Sequence, residues 1–311
     1  MAPLPIIIDC DPGQDDAIAL LLALASPDEL EVLAITAVAG NVPLRLTELN
    51  ARRIVRLAGR TGVPVFAGCD RPLLRPLETA EYVHGETGLD GAELPDPGFP
   101  LAPGHAVDAI VDLVMARPAG TVTLCPIGPL TNVAMALRKE PRLAGHLRQI
   151  VLMGGSVELG NVTPAAEFNI FVDPHAADIV FRCGAPLTMM GLDVTHKALV
   201  MEPHLRRIEA LGTPVGKAAA GLLDFYNRFD RERYGEPGGP LHDPCVIAFL
   251  LDPTLFRGRA CPVEIVLEGP SAGRTLVDWW NMHKHPTNAT VMRDLDATRF
   301  FDLLIDRLGK L

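Results

Sequence analysis

Residues 9–16 carry the strongest chemical signal in the sequence, because they read DCDPGQDD and place four carboxylates within eight residues. The Pro-Gly pair favours a turn, and Asp15 and Asp16 are typical of a helix start. Capping and the helix dipole explain these two acids, at about 0.3–1 kcal/mol each. They do not explain Asp11, which stands at the carboxyl end of a buried strand, where the other charges repel it. Oxygen ligands of this kind bind Ca²⁺ or Mg²⁺, so the segment indicates a metal site.

Further polar side chains follow the other predicted strands. They are Asn41, Asn132, Asn161, Asn169 and Asp193. Ligands of open α/β sheets bind outside the carboxyl ends of the strands, so we expect these side chains to gather at one edge of the sheet. Each Asn also has an ordinary interpretation as a turn or helix-cap residue. We assign that structural role to Asn132 and to Asp193.

The elements that must position these residues alternate between short β-branched runs and amphipathic helical patterns. The strands are predicted near residues 6, 33, 122, 149 and 187. This alternation predicts an α/β fold with a doubly wound, mainly parallel sheet flanked by helices, in a single domain spanning 1–311. Two Gly/Pro-rich stretches, at about 85–104 and 227–241, are predicted as mobile loops that cover a site.

Composition excludes several classes of protein. Of the 311 residues, 28 are Lys or Arg and 38 are Asp or Glu, and the net charge of −10 disfavours nucleic acid or anionic membrane as a partner. The longest apolar run is far shorter than the roughly 20 residues that span a bilayer. The six cysteines are scattered without a CxxC pair, which indicates reduced thiols in a cytoplasmic protein.

Residues 9–16 resemble the N-terminal signature of the calcium-dependent ribonucleoside hydrolases, the inosine-uridine preferring nucleoside hydrolase family. Further family-like segments occur in the family's order along nearly the whole chain. They are AGNV at 39–42, VHGE at 83–86, GPLTN at 128–132, MGG at 153–155, EFN at 167–169, DP at 173–174 and HDP at 242–244. The resemblance implies one α/β domain that hydrolyses the N-glycosidic bond of ribonucleosides, giving ribose and a free base.

The resemblance also implies a Ca²⁺ ion at the base of the pocket. Its protein ligands would be Asp11, Asp16, the Ile127 carbonyl oxygen and Asp243. Three carboxylates and a carbonyl leave part of a 6–8-coordinate Ca²⁺ free for water and for ribose hydroxyls. Asp11 is then the general base that activates the attacking water, which the cation makes more acidic.

The substrate contacts that the resemblance implies are Asp15, Asn41, His84, Met153, Asn161, Glu167, Phe168, Asn169, Asp230, Tyr234 and His242. Asp15 would bind the 2′-hydroxyl, and Asn161 and Glu167 the 5′-hydroxyl. His242, beside the ligand Asp243, is the predicted donor of a proton to the leaving base. The other ribose contacts orient the sugar, and Met153 and Phe168 pack against it.

We predict a preference for pyrimidine nucleosides or for uridine and inosine, because His242 and Tyr234 could both reach the base. The family further implies a homotetramer or homodimer that acts in nucleoside salvage. The segment around Trp279 and Trp280 departs from the family, and we interpret it as an oligomer contact or a surface turn.

Two other functions compete with hydrolysis. A magnesium-dependent phosphatase of the haloacid dehalogenase type also carries Asp-x-Asp after an apolar strand. It requires Thr or Val where this chain has Gln14, and basic residues for the phosphate. A catalytically silent nucleoside or ribose binder would keep the fold and the calcium ion, and the sequence leaves that alternative open.

Overall fold

The computed structural model describes residues 2–235 and 237–311, and the side chains of all of these except Asp230 and Tyr234. The strands are β1 (Leu4–Cys10), β2 (Leu30–Ala37), β3 (Val65–Ala67), β4 (Thr123–Pro126), β5 (Gln149–Met153), β6 (Leu187–Met190), β7 (Phe256–Cys261), β8 (Val263–Ile265), β9 (Thr275–Val277) and β10 (Ala289–Leu295). The helices are α1 (Gln14–Leu24), α2 (Leu44–Leu57), α3 (Glu81–His84), α4 (Ala106–Met115), α5 (Thr131–Lys139), α6 (Leu143–His146), α7 (Phe168–Val172), α8 (Pro174–Phe181), α9 (Leu192–Thr195), α10 (Glu202–Glu209), α11 (Pro214–Tyr234), α12 (Pro244–Leu251) and α13 (Ala297–Leu308).

The main sheet has the strand order β3-β2-β1-β4-β5-β6-β10-β7. All neighbouring pairs are parallel except β10 with β7, which is antiparallel. The chain runs outward from β1 through β2 to β3 and then returns to place β4 on the other side of β1. This reversal makes the carboxyl ends of β1 and β4 the point at which a doubly wound sheet binds its ligand.

The core lies on both faces of this sheet. Within β1, Ile6 and Ile8 belong to one apolar cluster and Ile7 to the other, as the alternation of strand side chains requires. Every residue of α1 is buried, from Gln14 to Leu24, so this helix is enclosed by the core rather than laid upon it. The acids that open α1 are therefore held on an immobile element.

The predicted α/β fold is confirmed, but one boundary is wrong. Residues 227–234, predicted as part of a loop, continue helix α11, and Gly235 ends that helix with a φ of 71°. The segment reads NRFDRERY, and its Arg and Glu residues are good helix formers. Gly235 takes the left-handed conformation without the penalty that a Cβ brings. The first stretch, at 85–104, contains neither helix nor strand.

The Trp279 segment forms a surface turn after β9. The Arg259 guanidinium lies 4.1 Å from the ring centre of Trp279 and 4.7 Å from that of Trp280. Trp280 is 75% exposed. Over the described ranges, we find no helix with the length and apolar character that crossing a bilayer requires.

Candidate active site

A pocket opens at the carboxyl edge of the sheet, and most of the predicted site residues line it. They are Asp15, Asn41, His84, Ile127, Met153, Asn161, Glu167, Phe168, Asn169, His242 and Asp243. Asp11 and Asp16 are 1% and 0% exposed and do not line the pocket. The predicted contacts of Asp230 and Tyr234 concern side chains outside the described residues.

Asp16 ties the turn after β1 to the start of α1. Its two carboxylate oxygens accept hydrogen bonds from the backbone N–H groups of Asp11, at 3.1 Å, and Gly13, at 3.0 Å. Asn41 donates a further bond from Nδ2 to Asp16 Oδ2, at 3.2 Å. The Asp16 carboxylate thus accepts from the N–H of Gly13, which the helix start leaves without a helical partner, so the turn is closed by the third residue of α1.

Asp11 is enclosed by backbone. Its Oδ2 accepts a 2.7 Å hydrogen bond from the Asn41 N–H. Glycines stand at positions 40 and 128 because a Cβ at either would overlap the Asp11 carboxylate. Asp11 Oδ1 is buried and has no hydrogen-bond partner among the described residues. One oxygen of this carboxylate is thus fixed, and the other is available to a ligand.

Four buried carboxyl groups meet at this point, and we call Asp11, Asp15, Asp16 and Asp243 the pocket floor. Oxygens of Asp15, Asp16 and Asp243 lie within 4.8 Å of one another, a spacing that suits a metal ion. Burial and then the charge of Asp16 raise the pKa values of Asp11 and Asp15 well above the usual range. Burial and the charge of Asp15 do the same for the pKa of Asp243.

The charges at the pocket floor suit a divalent cation. None of the described residues that line the pocket is Lys or Arg. The unpartnered Oδ1 of Asp11 and the mutual repulsion of the four carboxyl groups require protons or a cation. Oxygen donors alone select a hard cation.

Ile127 and Asn169 extend the floor toward the centre of the pocket. The Ile127 N–H donates to the Asp9 carbonyl at 2.7 Å, which fixes the turn after β4. Asn169 Nδ2 donates to the Ile127 carbonyl at 2.9 Å and to the Met153 carbonyl at 3.2 Å. The backbone oxygen of Ile127 therefore faces polar groups of the pocket while its side chain stays in the core.

Asn132 joins three segments beneath this region. Its Nδ2 donates to Asp9 Oδ1 at 2.8 Å and to the Ala37 carbonyl at 3.1 Å, and its Oδ1 accepts from the Cys69 N–H at 2.8 Å. This arrangement agrees with the structural role assigned to Asn132. Burial raises the pKa of Asp9 to about 7.

Glu167 forms the opposite wall by capping α7. Its Oε1 accepts from the Asn169 N–H at 3.0 Å, and its Oε2 accepts from the Gly155 N–H at 2.8 Å. Burial raises the pKa of Glu167 to about 7. Asn161 is exposed at the pocket mouth, where its Oδ1 accepts from the Phe168 N–H at 3.0 Å.

Two buried histidines form what we call the base end of the pocket, together with Tyr226. His242 Nδ1 lies 2.7 Å from the Thr195 hydroxyl, and His84 Nδ1 lies 2.7 Å from Gln14 Oε1. The ring of His84 stacks on Tyr226, with centroids 5.6 Å apart. Burial lowers the pKa of His84 to about 3 and that of His242 well below the usual range, so both rings are neutral at pH 7.

Comparison with known proteins decides the family. A sequence model described as inosine-uridine preferring nucleoside hydrolase matches residues 6–302. The chain belongs to this nucleoside hydrolase family. It is 51% identical over 307 residues to the pyrimidine-specific ribonucleoside hydrolase RihA of Photobacterium profundum, covering 98% of both chains. A solved purine-preferring ribonucleoside hydrolase from Gardnerella vaginalis shares the fold with a TM-score of 0.92 at 35% identity, covering 98% of both chains. A solved plant nucleoside hydrolase shares the fold with a TM-score of 0.92 at 35% identity, and the match covers 99% of both chains.

These matches confirm the predicted family, the fold class and the enzyme class of ribonucleoside hydrolase. The sequence analysis missed four residues of the nucleoside hydrolase site: His196 and Tyr226 line the pocket, and Gln14 and Thr195 contact its two buried histidines. His196 lines the pocket, and its ring centre is 5.6 Å from that of His242. Its position after the carboxyl end of β6 was the available signal. Tyr226 lies on α11 just before the stretch predicted as a loop, and no motif of the sequence analysis included it.

Proposed function

We propose that this chain hydrolyses the N-glycosidic bond of pyrimidine ribonucleosides, and that uridine is among its substrates. The observation that carries the proposal is the pocket itself, which places buried carboxylates at its floor and lines the same cavity with two buried, neutral histidines. Similarity supports the pyrimidine preference. The chain is 50–51% identical to two relatives named pyrimidine-specific, but only 35% identical to the purine-preferring enzyme.

The cation proposed for the floor is Ca²⁺. Asp11, Asp16, Asp243 and the Ile127 carbonyl oxygen would hold it, since irregular sets of carboxylate and carbonyl oxygens suit calcium better than magnesium. When bound, the ion supplies positive charge that neutralises the floor and acidifies water there. Asp15 lies with Asp16 and Asp243 in the group of oxygens spaced for a metal ion, whereas Asp11 does not belong to that group. We assign Asp15 to the ribose 2′-hydroxyl, because it lines the pocket while Asp11 and Asp16 do not.

Asp11 is the proposed general base. Its Oδ2 is held by the Asn41 N–H, which leaves Oδ1 to take a proton from water. The water oxygen forms a bond to the anomeric carbon as the bond from that carbon to the base nitrogen breaks. Fixing one oxygen of the carboxylate keeps the other in place for this transfer.

The walls are proposed to bind the ribose. Asn41 and Asn169 use their Nδ2 groups within the protein, and their Oδ1 atoms have no partner among the described residues. These oxygens can accept hydrogen bonds from sugar hydroxyls. Glu167 and Asn161 are assigned to the 5′-hydroxyl, and Met153 and Phe168 to apolar contact with the sugar.

The base end is proposed to stabilise the leaving group. His242 is neutral and buried beside Asp243 in the sequence, so its one ring N–H can donate a hydrogen bond to the departing base. His84 contacts the other part of the base. Contacts from Asp230 and Tyr234 to the base remain part of the proposal.

We also propose a homodimer or homotetramer that works in cytoplasmic nucleoside salvage. All six cysteines are free, as in a reducing compartment. Light scattering on the purified protein measures the assembly. A monomer at micromolar concentration would contradict this part of the proposal.

The decisive experiment measures ribose released from uridine, cytidine, inosine and guanosine. The protein is assayed as purified, after treatment with a chelator, and after calcium is restored. We expect calcium-dependent release, with the pyrimidine nucleosides ahead of the purines. A folded protein that binds calcium but releases no ribose would instead be the silent nucleoside binder.

A further inference from the structure

Gln14 connects the start of α1 to the segment that carries His84. Its side-chain Nε2 donates to the His84 carbonyl at 2.9 Å and to the Asp90 carbonyl at 3.1 Å. A carbonyl oxygen only accepts, so the amide atom between these two carbonyls must be the nitrogen. The orientation of the Gln14 amide is therefore fixed by the network around it, with Oε1 facing His84.

This orientation dictates where the proton of His84 lies. Gln14 Oε1 is an acceptor 2.7 Å from His84 Nδ1, so Nδ1 must carry the proton and donate it. A neutral imidazole has only one N–H. The other nitrogen, Nε2, is consequently an unprotonated hydrogen-bond acceptor, and it has no partner among the described residues.

The ring of His84 is also fixed in space. It stacks on Tyr226 at an interplanar angle of 24° on one side. On the other side it contacts Gly13, where a Cβ would overlap Nδ1. His84 lines the same pocket as His242. The acceptor is thus presented to the base end in a single orientation.

We propose that Gln14 is a positioning residue that makes His84 Nε2 a hydrogen-bond acceptor in the base end, so that the enzyme selects bases with an N–H donor there. This inference rests on the proposed function. For uracil the donor is N3–H, which is absent from a uridine methylated at N3. A site built to pair with an N–H group rejects an analogue without it, because the buried acceptor is then left unpaired.

The tautomer is tested first, without any substrate. Spectra of the protein labelled with ¹⁵N-histidine separate protonated from unprotonated ring nitrogens, and the His84 signals are those lost in His84→Asn. We expect a protonated Nδ1 and an unprotonated Nε2 for His84. A proton on Nε2 would overturn the inference, whatever the enzyme hydrolyses.

The second test compares kcat/KM for uridine and 3-methyluridine in the wild type and in Gln14→Met. We expect methylation to lower kcat/KM about tenfold in the wild type, the effect of one unpaired neutral hydrogen bond. In Gln14→Met the ratio should approach one, because His84 is no longer held in one tautomer. An unchanged ratio in the variant would overturn the inference. A wild type that cleaves neither nucleoside would contradict the proposed function instead, and the tautomer spectrum would still test Gln14.

Asn50→Ala is the matched control for loss of loop support. Asn50 Nδ2 donates to the Pro12 carbonyl at 3.1 Å and the Thr87 carbonyl at 2.7 Å, so it anchors the same segment without touching His84. We expect the wild-type substrate ratio in this variant. If Asn50→Ala removed the discrimination as Gln14→Met does, Gln14 would be a structural anchor only.

Discussion

The floor and the base end of the pocket differ in what holds their side chains. Three of the four floor residues follow β1, and backbone N–H groups of Asp11, Gly13 and Asn41 fix the carboxylates of Asp11 and Asp16. The histidines of the base end are held by side chains from distant segments, Gln14 for His84 and Thr195 for His242. A hydrogen bond from a backbone N–H group persists when the side chain of that residue is replaced, whereas a hydrogen bond from a side chain is lost with a single substitution. The reaction should therefore be robust, and the choice of base easy to alter.

The largest effect is expected at the floor. Asp11→Asn removes the proposed general base while keeping its shape, and should lower kcat for uridine by roughly 10²–10⁴-fold. Asp70→Asn is the control, because Asp70 is an exposed acid far from the pocket lining. Ribose release and circular dichroism separate lost chemistry from lost fold. Near wild-type turnover in Asp11→Asn would assign the base elsewhere.

Calcium should stabilise the floor as well as activate it. A ligand at a hundred times its Kd stabilises the folded state by about 2.7 kcal/mol, which raises Tm by roughly 5 °C in a chain of this size. Differential scanning calorimetry with calcium, with magnesium and with chelator measures this shift. Equal Tm values in all three solutions would count against a cation at these carboxylates.

The pH dependence of stability sharpens the same point for the cation-free protein. Burial raises the pKa values of Asp9, Asp16 and Glu167 to about 7, 6 and 7. A carboxyl group whose pKa rises on folding makes its full contribution to stability when the pH is below its unfolded-state pKa of about 4. This contribution is lost as the pH rises through the folded-state pKa. Tm in chelator should thus fall from pH 4 to pH 7.

Asp9→Asn isolates one group in that experiment. The amide keeps the hydrogen-bonding shape but does not ionise, so the variant should gain stability relative to the wild type as pH rises toward 7. A difference in Tm that does not change with pH would show that the Asp9 carboxyl group does not titrate in this range.

A smaller effect is expected at the base end. Thr195→Val removes the hydroxyl that contacts His242 Nδ1, and we expect kcat for uridine to fall about tenfold. Thr195→Ser restores the hydroxyl and should restore the rate. A riboside of 4-nitrophenol, which leaves without a proton, should be cleaved equally by all three proteins. An equal loss with that substrate would mean that Thr195 supports the fold rather than the leaving group.

The smallest effect is expected at the mouth. Asn161 is exposed, so water can replace its contact with the 5′-hydroxyl. Asn161→Ala should raise KM for uridine by a few fold and leave kcat unchanged. The comparison substrate is 5′-deoxyuridine, for which the variant and the wild type should have the same KM. A large fall in kcat would place Asn161 among the groups that act on the transition state.

The same contrast explains what the sequence could predict. Asp11, Asp15 and Asp16 are contiguous with a strand and a helix start, so local rules place them together. Gln14 and Thr195 meet their histidines across 70 and 47 residues, and no local pattern encodes those contacts. Residues 227–234 were misread because the glycines that follow them suggested a loop. The structure shows that α11 continues through these residues to Tyr234.

Helix α1 has every side chain buried and begins with Gln14, Asp15 and Asp16. Backbone amides in so enclosed an element exchange with solvent deuterium mainly when the whole domain opens. The acids of α1 therefore separate from the rest of the floor no faster than the protein unfolds. We expect a cation held there to leave through the pocket that the nucleoside enters, so a bound nucleoside should slow its release.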